Sequence, residues 1–137
     1  MSDRQAKRRS LMPATFIRAA DAPRFEVHGA VVIGYASPKR GSASVSTWRV
    51  VLAPGTQSPR HQLTVDETFV VLAGSAEYEV EGHSVVVGPG DGVTVQAHTP
   101  FLIRAVGDAA FEAFVSVPRG CEARVEGGEL FRPPWTD

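Results

Sequence analysis

From Phe25 onward, short apolar runs alternate with turn residues, and no window of 11 or more residues carries a stripe of helical period. The runs are 25–27, 30–35, 44–52, 62–64, 67–73, 75–80, 83–87, 92–95, 101–106, 110–117 and 123–125. Eighteen of the chain's nineteen valines lie in them, and valine's branched Cβ suits a pleated surface better than a helix. Between the runs stand Ser37-Pro38, Pro54-Gly55, Ser58-Pro59, Ala73-Gly74, Glu81-Gly82, Gly88-Pro89-Gly90-Asp91 and Gly107-Asp108. Short strands at this spacing predict an all-β sandwich or barrel. Within 67–73 both alternating sets are mostly apolar, which predicts a strand covered on both sides. Glu67 opens that strand, and a carboxylate there is costly to bury without a partner.

Composition narrows the class. A chain of 137 residues has enough material for one core, so residues 21–137 are read as one domain. Residues 1–20 are read as a basic arm, flexible or exchanged with a partner subunit, with 11–17 offering an edge strand. The net charge of −1 excludes nucleic-acid binding through the overall field. The single cysteine, Cys121, excludes an internal disulfide and a multi-cysteine zinc site, and its neighbours mark it as an incidental thiol. No apolar run approaches the ~20 residues of a membrane span, and no signal-type apolar region follows the basic N-terminus, so the expected compartment is the cytoplasm. There is no Gly-x4-Gly-Lys-Ser/Thr phosphate loop and no Gly-x-Ser-x-Gly nucleophile turn.

The stretch from Gly55 to Gly74 reads Gly, five residues, His61, one residue, Leu63, three residues, Glu67, six residues, Gly74. It resembles the first signature of the cupin superfamily, Gly-x5-His-x-His-x3,4-Glu-x6-Gly. A counterpart of the second signature runs from Gly82 through Gly90-Asp91 to Gln96-Ala97-His98-Thr99-Pro100-Phe101. The likeness covers about residues 45–118, and Phe131-Arg132-Pro133-Pro134-Trp135 resembles the tail of small single-domain members. The resemblance implies a jelly-roll β-barrel and a homodimer paired through sheet edges and N-terminal strand exchange. It also implies a divalent metal held by three histidines and a glutamate. Here those four places hold His61, Leu63, Glu67 and Phe101, while Gln96 and His98 replace the proline and glycine of the second signature.

Sites for divalent transition metals take about three or four protein ligands. With two positions apolar, the sequence predicts a degenerate site with no tightly bound metal, at most a weakly held divalent ion. A set of His61, Glu67 and His98 is the arrangement that would restore one. Without metal, a His61–Glu67 pair in an apolar pocket can titrate near neutrality and exchange protons with a small apolar or aromatic molecule. Isomerisation, dehydration or ring closure fits such a pair. Leu63, Phe69, Phe101 and Ile103 are the expected walls, Gln96 an orienting group at the mouth, and Trp48 an inward residue on the preceding strand. His28 and His83 are read as surface residues. Two other readings stand beside this one: a binding or sensing module without chemistry, and a metal-dependent oxygenase or isomerase recruiting His98.

Overall fold

A computed structural model describes residues 13–137. The eleven strands are β1 (Arg24–Val27), β2 (Ala30–Ala36), β3 (Val45–Leu52), β4 (His61–Leu63), β5 (Glu67–Ala73), β6 (Ser75–Val80), β7 (His83–Val87), β8 (Gly92–Val95), β9 (Phe101–Val106), β10 (Phe111–Pro118) and β11 (Ala123–Val125). Each apolar run of the sequence forms one of them, with ends displaced by a residue at most. They make two antiparallel sheets, one ordered β1-β2-β3-β10-β5-β8 and the other β11-β4-β9-β6-β7. The expected barrel is thus a jelly roll of two sheets whose edges do not close by hydrogen bonding. Among the described residues, no helix is long and apolar enough to cross a membrane.

The core lies between the sheets. Phe69, Val71, Phe101, Phe111, Ala113, Val115 and Val117 pack there with Leu52, Trp48 and Tyr78. Strand β5 departs from its sequence reading. Glu67, Phe69 and Val71 face inward, but Val70 and Leu72 are 49% and 50% exposed and Thr68 is exposed with them. Alternation sends these three to the outer face of the six-stranded sheet, where no described element covers them. Gly74 of the first signature has a steric reason to be glycine. Its φ is +69°, and a Cβ there would stand 2.2 Å from the Ala110 carbonyl oxygen.

Segment 131–137 closes one side of the sandwich. Phe131 exchanges backbone hydrogen bonds with Ala123, and a tight turn, Pro134–Thr136, follows. The Ser46 hydroxyl donates to the Thr136 carbonyl at 2.9 Å and Ser37 to the Asp137 carbonyl at 2.8 Å. Arg40 Nη2 donates to the Trp135 carbonyl at 2.9 Å. The Trp135 ring then packs 6.3 Å from Trp48 and 5.9 Å from Phe25. At the other end of the chain, residues 13–18 form no strand, and the earlier part of the expected arm, including Leu11 and Met12, lies outside the described residues.

Candidate functional site

Between the sheets lies a cavity of about 140 Å³. Val32, Trp48, Val50 and Leu52 form its wall on the six-stranded sheet, joined by Phe69 from β5. Leu63 and Ile103 face them from the other sheet, and Phe131, Pro133 and Trp135 close the side. Of the residues singled out in the sequence, His61, Leu63, Glu67, Phe69, Ile103 and Trp48 all border this space.

The expected wall Phe101 and the expected mouth group Gln96 do not. Phe101 is a direct cross-strand partner of His61, and the two rings lie 4.4 Å apart. That tilted contact and the parallel Tyr78 ring, 6.4 Å away, bury Phe101 in the core behind the imidazole. Gln96 follows Val95, whose side chain points inward, so the pleat turns Gln96 outward into solvent. It does not border the cavity.

His61 stands at the start of β4, just after the Ser58-Pro59 turn. Its Nδ1 is 2.8 Å from the Pro59 carbonyl oxygen. A carbonyl can only accept, so Nδ1 carries the proton and the neutral ring keeps its lone pair on Nε2. Burial holds the imidazole below its ordinary pKa; the Pro59 carbonyl opposes that shift and the nearby His28 charge reinforces it.

Glu67 is 6% exposed, and its Oε1 has no hydrogen-bond partner. Burial raises its pKa from 4.5 to about 8, so the carboxyl is protonated at neutral pH. The hydroxyl of Tyr78 is likewise buried without a partner, and burial and then the Glu67 charge push its ionisation upward. Cys121 borders the same cavity; burial first, then Glu67 and Glu122, push its thiol up to about 12. It is an unreactive thiol at neutral pH. No hydrogen bond joins His61 to Glu67. The expected pair is therefore two separate groups bordering one cavity, each tuned by its own surroundings.

Of the four motif positions, two hold donor side chains, His61 and Glu67, and two hold Leu63 and Phe101, which have none, short of the three or four ligands such a site takes. Nδ1–H of His61 donates to Pro59, leaving Nε2 as its one coordinating atom. His98, the expected third ligand, is exposed in the turn before β9 with φ +64°, its backbone N–H donating to the Leu63 carbonyl at 2.7 Å. Among the described residues, no group of three or more His, Cys, Asp or Glu side chains is placed to hold an ion.

Sequence reasoning missed three contributors. Cys121 reaches the cavity through the chain path from β10 to β11, which no local pattern announces. His28 is exposed, as expected, but it borders the cavity mouth from the β1–β2 turn, where φ is +51° at His28 and +80° at Gly29. Thr136 and its neighbours form a wall. The Pro133-Pro134 step between Phe131 and Trp135 was the available signal, since it stiffens an aromatic-bearing tail.

The cupin domain model matches residues 48–117, which contain β3 to β10 without their outermost residues. No curated protein matches the sequence. Among solved structures, the polyketide cyclase RemF from Streptomyces resistomycificus superposes with a TM-score of 0.73 at 16% identity, covering 88% of each chain. A salicylate 1,2-dioxygenase from Pseudaminobacter salicylatoxidans gives 0.66 at 19% identity, over 78% of this chain and 33% of the dioxygenase. A cupin superfamily protein from Desulfitobacterium hafniense gives 0.57 at 18% identity, over 65% of this chain and 76% of that one. At these identities the structural likeness is one of fold, and the motif-bearing half of the sequence supplies the family: this chain is a member of the cupins.

Proposed function

We propose that this cupin binds a small apolar or aromatic organic molecule in its cavity and moves protons on it without a metal, as an isomerase, dehydratase or cyclase. The observation that carries the reading is the opposite tuning of two groups on one apolar space. His61 is neutral with a free Nε2, and Glu67 is a protonated acid. An acid and a base in their reactive forms at the same pH are what proton transfer needs. The cyclase and dioxygenase among the structural neighbours support a role on small organic molecules, and the likeness to the cyclase covers 88% of both chains.

The chemistry follows from these forms. His61 Nε2 accepts a proton from carbon next to a carbonyl as the C–H bond breaks, and Glu67 gives its proton to the carbonyl oxygen, leaving an enol. The imidazolium and carboxylate so formed attract each other across a medium of low polarity. Isomerisation is complete when the imidazolium returns a proton at a different carbon and the carboxylate recovers one from the enol oxygen. In a dehydration, Glu67 instead protonates the departing hydroxyl. The test is deuterium uptake from heavy water into cyclohexenone and related cyclic ketones, followed by NMR. Wild type is expected to speed the exchange, with His61→Ala and Glu67→Gln slow; equal rates in all three would refute the reading.

The reading includes a homodimer. Val70 and Leu72 lie exposed on the outer face beside Phe114, the cross-strand neighbour of Val70. A second copy burying these residues would account for this exposed apolar strip on the six-stranded sheet. Sedimentation at micromolar concentration is expected to give a dimer for wild type and a monomer for Leu72→Lys; a wild-type monomer would contradict this part.

A further inference from the structure

We propose that the cavity selects by charge: it takes an uncharged single-ring compound bearing a hydroxyl or carbonyl group, and rejects carboxylates and ammonium ions. This rests on the reading above that a small organic molecule occupies the cavity, and it names the class. The first observation is the absence of a cation from the described wall. Among the described residues, no Lys or Arg borders the cavity. The ionisable groups that do are His28, exposed at the mouth, and His61, Glu67 and Cys121.

Three arginines next to cavity residues are held by carboxylates elsewhere, and Arg124, between Ala123 and Val125, is exposed on the outer side of β11. Arg60, next to His61, donates to Glu79 at 2.7 Å; Arg104, next to Ile103, donates to Glu77 at 2.7 Å; Arg49, next to Trp48, is paired with Glu112. Arg49 and Arg104 alternate with a cavity residue along β3 and β9, so the pleat that turns Trp48 or Ile103 inward turns the arginine out. A carboxylate entering the cavity would lose its water and meet, besides apolar side chains, the Ser58 and Thr136 hydroxyls, each already donating to a backbone carbonyl, a neutral imidazole and the single proton of the Glu67 carboxyl, with no cation among them. Burying an anion without a counter-charge is strongly unfavourable.

Ammonium ions fare little better. One carboxyl could meet them, but only by ionising among Phe69, Leu63 and Val32 with no second acceptor charge on the wall. A neutral hydroxyl or amide meets no such penalty. It can accept from the Glu67 carboxyl or donate to the unpartnered oxygen, and it can donate to the lone pair of His61. Size sets the rest of the class: an apolar cavity of roughly 150 Å³ is known to hold benzene, and this one is about 140 Å³.

Both tryptophans of the chain, Trp48 and Trp135, border this cavity, whereas the polar groove on the far side of His61, containing Arg60 and Arg124, has none. Tryptophan fluorescence therefore reads the cavity. The probes are cyclohexanecarboxamide and cyclohexanecarboxylate, alike in shape and different in charge, with cyclohexanol and cyclohexylammonium as a second pair. At neutral pH the two uncharged compounds are expected to change the fluorescence saturably, at least tenfold more tightly than their charged counterparts. Glu67→Gln should retain carboxamide binding within a few-fold, because an amide also offers one donor and one acceptor. Carboxylate or ammonium binding as tight as the neutral partner overturns the charge rule and leaves the proton-transfer reading standing. No saturable response to either neutral compound overturns both the rule and the cavity's assignment to one-ring ligands. Unchanged deuterium exchange in the His61 and Glu67 variants, with charge selectivity intact, overturns only the proton-transfer reading.

Discussion

Segment 131–137 and the wall of β4 and β5, with Tyr78 of β6 packed behind Phe69, treat polar groups in opposite ways. In the segment, the carbonyls of Trp135, Thr136 and Asp137 each accept from a side chain, Arg40, Ser46 or Ser37. On the wall Glu67 Oε1, and behind it the Tyr78 hydroxyl, are buried with no partner at all. A satisfied buried hydrogen bond adds about 0.5–1.5 kcal/mol, while an unsatisfied polar group costs about 1–3 kcal/mol. The segment therefore holds the cavity shut, and the wall gives up stability to keep protonatable oxygens dry. Such local costs are characteristic of sites that act on a ligand.

Mutations should separate the two regions, and the largest effects belong to chemistry and charge. Replacing His61 by Ala is expected to slow deuterium exchange about 100-fold or more, the range of a lost general base, and to cost about 1–3 kcal/mol in urea through the lost Pro59 hydrogen bond and Phe101 contact. Glu67 gives a pH signature. Its pKa is raised from 4.5 to about 8, so the folded protein keeps this proton at pH values where the unfolded chain releases it. The associated stability is fully present below about pH 4.5 and is lost as pH rises to about 8. Relative to Glu67→Gln, wild type should lose on the order of 5 kcal/mol across that interval, measured by urea unfolding at a series of pH values. A parallel pair of curves would mean that Glu67 is ionised in the folded protein.

Smaller effects sharpen the contrast. Trp135→Ala removes the ring packed on Trp48 and Phe25 and should cost about 3–5 kcal/mol by chemical denaturation. Ser46→Ala strips a buried carbonyl of its donor and should cost about 1–2 kcal/mol. Tyr78→Phe deletes a hydroxyl that has no partner and should leave stability unchanged or raise it by up to about 1 kcal/mol. If Tyr78→Phe cost as much as Ser46→Ala, the distinction between the two regions would fail.

The strands were legible because valine runs and Gly/Pro turns mark them, and the inward set of Leu63, Phe69, Ile103 and Trp48 followed from motif position and alternation. Burial on both sides of β5 was not, because Val70 and Leu72 look like core in sequence and lie outside. Phe101 occupies a motif position, yet its fate depended on a cross-strand neighbour, His61, that covers it. Gln96 turned on a pleat one residue from Val95. The separation of His61 from Glu67 also escaped the sequence, since a backbone carbonyl at Pro59, invisible as a pattern, takes the imidazole's donor. Cys121 and segment 131–137 reach the cavity only through long-range chain path.

At the centre of the account is the form of one side chain. A carbon-detected NMR titration of the Glu67 carboxyl, assigned by comparison with Glu67→Gln, reads that form directly. The account expects a midpoint near pH 8, leaving the group uncharged through neutrality. A midpoint near 4.5, the ordinary value for a glutamate, would put a carboxylate in the cavity and contradict both its role as acid and the preference for neutral ligands.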